Sequence, residues 1–159
     1  MVQQSRQRRL LLTFSGMSLF GWFSALTGCS TPAPPAVVQV DRPRPLPSLA
    51  QSPKAYRVDA AKHLYSQHGH QIFKGKLPPL LHAVSVVRVN IAANGDLIEI
   101  DWMRKPTHAP EVVAEIERKI LAAEPFPAPV HLGPQTYTET WLWHKSGLFQ
   151  LDTLTEGQV

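Results

Sequence analysis

Val84-Ser85-Val86-Val87-Arg88-Val89-Asn90-Ile91, then Ala92-Ala93-Asn94-Gly95-Asp96, then Leu97-Ile98-Glu99-Ile100-Asp101-Trp102-Met103 is the stretch that decides the fold. Its first part is rich in β-branched residues, which suit a pleated, half-buried surface, and predicts a strand over Val84 to Ile91. Asn94-Gly95 follows, and both residue types tolerate the positive φ of a tight hairpin turn. Leu97 to Met103 then alternates, with Ile98, Ile100 and Trp102 on one face and Glu99 and Asp101 on the other. An antiparallel hairpin with one dry face is the expected product.

Helical patterns flank the hairpin. Upstream, Ala55 to Phe73 reads as an amphipathic helix in which Tyr56, Ala60, Leu64 and Gln67 step by about one turn. Gly75 and Pro78-Pro79 stop it. Downstream, Pro110 to Ala123 carries proline in its first turn and Glu111 near the positive end of the dipole. Val112, Val113, Ile116 and Ile120 form its apolar stripe, with Glu115, Glu117, Arg118 and Lys119 expected to face water.

The run Pro125-Phe126-Pro127-Ala128-Pro129 ends that helix. Thr136 to His144 then reads as a third strand, with Tyr137, Glu139, Trp141 and Trp143 alternating against Thr138, Thr140 and Leu142. A short last strand, Leu148 to Leu151, follows, and the residues after Asp152 read as a frayed tail. Helix, hairpin, helix and strand pack naturally as an α+β domain, an antiparallel sheet with its helices on one face. That domain is expected over residues 55–152, with a tail at 153–159.

The start of the 159-residue chain has a different character. Arg6, Arg8 and Arg9 precede an apolar stretch from Leu10 to Leu26, which gives residues 1–28 the layout of a signal peptide. The alternative is a retained membrane helix, for which the stretch is near the lower length limit. Those three arginines belong to a total of 16 Lys and Arg, so the remainder carries 13 basic against 12 acidic residues. A near-neutral domain lacks the electrostatic footprint of a nucleic-acid binder. Cys29 is the one cysteine, which excludes an internal disulfide framework. Residues 29–54 hold Pro32, Pro34, Pro35, Pro43, Pro45, Pro47 and Pro53, and read as an extended tether. Stretched at about 3.1 Å per residue, it would reach on the order of 60–80 Å. Arg42-Pro43-Arg44-Pro45 within it is either a solvated spacer or a recognition site for an acidic partner or the peptidoglycan surface.

Two resemblances follow from these residues. Leu26-Thr27-Gly28-Cys29 resembles the lipobox of bacterial lipoproteins, which implies cleavage between Gly28 and Cys29 and attachment of fatty acyl chains, palmitate among them, to Cys29. Each buried CH₂ of such chains contributes about 0.8 kcal/mol to anchoring. Ser30 follows the cysteine where retained inner-membrane lipoproteins carry Asp, which implies sorting to the periplasmic face of the outer membrane.

The second resemblance is to the C-terminal domain shared by TonB and TolA. Val86 to Ile91 leading through Asn94-Gly95-Asp96 to Ile100 is similar to that family's strand, turn and strand. Pro110 to Ala123 is similar to its helix, and Ala123 to Pro129 to the exit before its last strand. The likeness covers roughly residues 55–145. Arg104-Lys105-Pro106-Thr107 stands where the family has Ser-Ser-Gly, and the lipobox replaces the membrane helix through which TonB and TolA are energised. The resemblance implies a non-enzymatic module that binds an envelope protein by accepting its strand at a sheet edge. That edge is expected at Tyr137, Glu139, Trp141 and Trp143.

The remaining chemistry is sparse. His63 and His68 are five apart, off a shared helical face, and neither Cys nor a close carboxylate joins them with His70, so no metal site is expected. No Gly-x-Ser-x-Gly motif occurs, and Cys29 is committed to lipid. Glu99 and Asp101 share a strand face, which is read as the wet side of the hairpin rather than a catalytic pair. Trp141 and Trp143 are expected in the core. The rival function is a small periplasmic enzyme or glycan-binding lipoprotein in which these two indoles form an exposed aromatic patch. No cofactor is implied.

Overall fold

The hairpin forms where the sequence places it, with two corrections to its detail. The computed structural model describes residues 43–159. Strand β1 (Ala83–Ile91) pairs antiparallel with β2 (Leu97–Arg104). Their turn is longer than a two-residue Asn-Gly loop: the Gly95 N–H closes onto the Ala92 carbonyl at 2.9 Å, and only then does Gly95 take φ +91°. The Gly95 carbonyl also accepts the Phe126 N–H, and a Cβ on Gly95 would lie 2.2 Å from the Phe126 oxygen. No other residue fits that contact.

The second correction is a bulge. Ile91 pairs with Leu97 and Asn90 with Glu99, which leaves Ile98 without a partner. Leu97, Ile100 and Trp102 therefore pack toward the core, whereas Ile98, expected beside Ile100 and Trp102, stands 63% exposed. A second register shift, between Val86 and Val87, leaves Met103 unpaired and 57% exposed.

Helix α1 (Pro53–His68) starts two residues earlier than the apolar pattern predicts, because Ser52 caps it by accepting the Ala55 N–H and Pro53 suits its first turn. It stops at His68 rather than Phe73, where a 3₁₀ turn (Gly69–Gln71) takes over. Helix α2 (Pro110–Ala122) buries Val112, Val113, Ile116 and Ile120 as its stripe demands. Strands β3 (Gln135–Trp143) and β4 (Phe149–Leu151) complete a four-stranded antiparallel sheet of order β2-β1-β3-β4, an α+β fold.

Core residues come from both helices and from β1, β3 and β4: Tyr56, Ala60 and Leu64 of α1, Ile116 and Ile120 of α2, Val87, Val89 and Ile91 of β1, Tyr137, Trp141 and Trp143 of β3, and Phe149 and Leu151 of β4. Phe149 stacks on Trp143 with centroids 5.6 Å apart and leans on Trp141 at 4.8 Å. Each large aromatic buried here removes roughly 150–250 Å² from water, the main favourable term in folding. The opposite face of the sheet carries Arg88, Asn90, Glu99, Asp101, Thr136 and Thr138, none of them in the core.

Both ends expected to be loose are built into the domain. Ser48 donates its N–H to the Ala128 carbonyl and its hydroxyl to Asp59, and Arg44 reaches the Asn94 carbonyl and Asp96 Oδ1, each at 2.9 Å. The expected tether of residues 29–54 therefore gives way to docked structure by Arg44. At the other end, Asp152–Leu154 forms a 3₁₀ turn, and Leu77 exchanges backbone hydrogen bonds with Gly157 and Val159. Gly28, Cys29 and the rest of residues 1–42 lie outside the described residues. No helix of the described residues is long and apolar enough to cross a membrane.

Candidate functional site

The strand expected to be the edge is internal. Strand β3 lies between β1 and β4, and Tyr137, Glu139, Trp141 and Trp143 turn into the core, each no more than 5% exposed. The physical reason is non-local: Leu148 to Leu151 folds back onto Trp141–Trp143, and β1 takes the other side. None of the four residues is available to a partner.

Glu139 has a different task. Its buried carboxylate accepts from Arg57 Nη2 at 3.0 Å, from the Tyr137 hydroxyl at 2.7 Å, and from the backbone N–H groups of Thr140 and Thr153. Four donors satisfy a charge that would be costly alone in the interior. Burial pushes the Tyr137 phenol well above its ordinary range, and the negative Glu139 adds to that shift. The cluster joins α1, β3 and the C-terminal 3₁₀ turn, a structural clamp.

The outer side of β4 is also occupied. Phe73 donates its N–H to Phe149 O, and the Gln150 amide donates to the carbonyls of Phe73 and Gly75. Beyond β4's reach, Gln135–Thr138 of β3 have no strand neighbour on their outer side among the described residues, and they expose no large apolar residue.

Strand β2 is the open edge. Among the described residues β1 is its one strand neighbour, and its two residues skipped by the pairing, Ile98 and Met103, are exposed. At its start the Leu97 N–H is taken by Glu124 Oε1 at 3.2 Å. At its end Lys105 sits over the Trp102 ring, 5.5 Å from the centroid. Between these caps, and between the two bulges, Glu99–Trp102 remains in regular register with β1. Trp102 is tied to α2 by its indole N–H, which donates to Glu117 Oε1 at 2.9 Å. Exposed backbone donors and acceptors along such an edge are a ready template for another strand.

A cavity of about 250 Å³ is lined by His82, Glu111, Glu115, Trp143, His144 and Lys145 among others. It is smaller than ordinary small-molecule sites of roughly 300–1,000 Å³. Its carboxylates are engaged: His82 holds Glu111 below the usual carboxylate range, and Arg118 does the same for Glu115. Lys119, expected in water, is fully buried beside the rings of Trp143 and Phe149, with Gln71 and Glu115 as polar partners. Burial lowers its pKa. The sequence pattern of α2 alone carries no trace of this, because the partner Gln71 comes from the 3₁₀ turn after α1.

The histidines do not gather around a metal. His63 and His68 instead donate to the carbonyls of Ala123 and Lys119, stitching α1 to α2. Among the described residues, no group of three or more metal-ligating side chains forms. Neither protein-family models, nor curated proteins, nor solved structures contain a match to this chain.

Proposed function

We propose that the chain is a lipid-anchored envelope protein, held through Cys29 at the periplasmic face of the outer membrane, whose folded domain binds another envelope protein without catalysing a reaction. The lipobox-like Leu26-Thr27-Gly28-Cys29, followed by Ser30, supports the anchor. The likeness of residues 55–145 to the TonB and TolA C-terminal domain supports a binding role. The observation that carries the reading is the open edge of β2, with exposed Ile98 and Met103 beside unpaired backbone. A partner strand laid along Glu99–Trp102 gains main-chain hydrogen bonds from the edge and side-chain contacts from the two apolar residues. The binding strand is thus β2, not the Tyr137–Trp143 strand that the sequence suggests. A glycan-binding or enzymatic reading needs Trp141 and Trp143 as an exposed patch, and both indoles are core.

Photo-reactive groups placed singly at Ile98, at Thr136 on the open part of β3, and at Lys62 on α1 test the site in intact cells. The expected result is a discrete adduct with an envelope protein from Ile98 alone. Adducts from Thr136 but not Ile98 would return the site to β3. For the anchor, Cys29→Ala is expected to move the protein from the membrane to the soluble fraction, and retention in the membrane would contradict it.

A further inference from the structure

On the wet face of the sheet, two rows of side chains run from β3 across β1 to β2. In the first, Thr136 donates its hydroxyl to Asn90 Oδ1 at 2.8 Å, and Asn90 Nδ2 donates to Glu99 Oε2 at 3.3 Å. In the second, Thr138 lies opposite Arg88, whose guanidinium donates to Asp101 Oδ2. Both rows therefore end at the open edge on a carboxylate. Glu99 is exposed and Asp101 keeps 39% of its side chain in solvent, so each retains oxygen lone pairs toward the place a fifth strand would occupy. A strand added there sets its wet-face residues directly opposite these two positions.

That geometry selects against a second copy. Two β2 strands paired antiparallel about a two-fold axis place Glu99 opposite the second copy's Asp101 when Ile100 faces Ile100. They place Asp101 opposite Asp101 when Ile100 faces Trp102. Each register that overlaps two or more of the regular residues 99–102 brings acid against acid, and like charges directly opposite are destabilising. The bulges at Ile98 and Met103 shorten the regular stretch and further discourage indiscriminate pairing.

Resting on the strand-addition reading above, we infer that the β2 edge is built for an extended segment with Lys or Arg at alternate positions, spaced i and i+2, on the face opposite Glu99 and Asp101. The residues between them are apolar and turn toward Trp102 and the α2 side of the sheet. Specificity comes from the ends of the two rows, and affinity from the main chain.

The test uses the full chain in detergent and three labelled peptides with the alternating patterns Val-Lys-Val-Lys-Val, Val-Ser-Val-Ser-Val and Val-Glu-Val-Glu-Val, with binding followed by fluorescence anisotropy. The lysine peptide is expected to bind roughly 10-fold tighter than the glutamate peptide, from two cross-strand charge pairs. Glu99→Lys is expected to erase or invert that preference, and Glu99→Gln to reduce it by about half on a logarithmic scale; both replace an exposed side chain and leave the core untouched. Equal binding of all three peptides, cross-linked at Ile98, would overturn the charge preference while leaving strand addition in place. Preference for lysine that survives Glu99→Lys would overturn it as well, by placing the basic peptide elsewhere. No peptide cross-linking to β2 at all, with the envelope adduct also missing from Ile98, would remove the strand-addition reading itself. A dimer in sedimentation that is lost on Ile98→Lys would show that the edge takes a second copy and would overturn the inference.

Discussion

Strands β2 and β3 flank the same central strand and solve opposite problems. In β3 the polar groups that enter the interior are fully matched there: Glu139 meets Arg57, Tyr137 and two backbone N–H groups. In β2 the polar rows run outward and stop on Glu99 and Asp101, where the next partner is solvent. The difference separates structural chemistry from recognition. A glutamate on the core face of a central strand is part of the scaffold, and a glutamate at the rim of the same sheet is free to choose a neighbour.

Substitutions should divide accordingly. Trp141→Ala removes a fully buried indole that touches Phe149, and is expected to cost about 3–5 kcal/mol in urea unfolding. Glu139→Ala strips the partner from Arg57 and the Tyr137 hydroxyl, with an expected loss of about 2–4 kcal/mol. If either variant unfolds with wild-type stability, the scaffold role given to β3 is wrong.

A pH series sharpens the same contrast at the helix seam. Burial holds the His68 pKa below 6.5, so below about pH 6.5 the unfolded chain takes up a proton that the folded chain resists. Stability should therefore fall as pH drops through that range, and His68→Gln should flatten the slope. Equal slopes in the two proteins would contradict the burial argument.

The smallest effect is expected at the rim. Ile98→Ser should change stability by no more than about 0.5 kcal/mol, because the side chain is already in water. A loss of several kcal/mol would mean that Ile98 is packed, and that the edge is closed.

The sequence made the local elements legible and the sheet order illegible. Val84 to Met103 carries its hairpin in composition and turn residues, and the stripe Val112, Ile116, Ile120 carries α2, since both signals lie within one or two turns of chain. Which strand sits at the edge depends on where Leu148–Leu151 and Ile72–Phe73 come to rest, over separations of up to 77 residues, and no local pattern encodes that. The bulge at Ile98 was hidden for a related reason: Leu97 and Ile98 are equally apolar, and only the pairing with Ile91 decides which one turns inward. Arg44 read as part of a tether because its partner Asp96 lies across the fold. The lipobox-like segment is an expectation from its own residues, which lie outside the described ones.

The most direct test of the central claim is amide hydrogen exchange of the full chain, alone and with the lysine peptide. Amides on the outer side of Glu99–Trp102 are expected to exchange quickly in the free protein, those of Trp141–Trp143 to be slow throughout, and the peptide to protect β2 alone. Protection of β2 already present in the free chain, or new protection appearing along β3 instead, would contradict the claim.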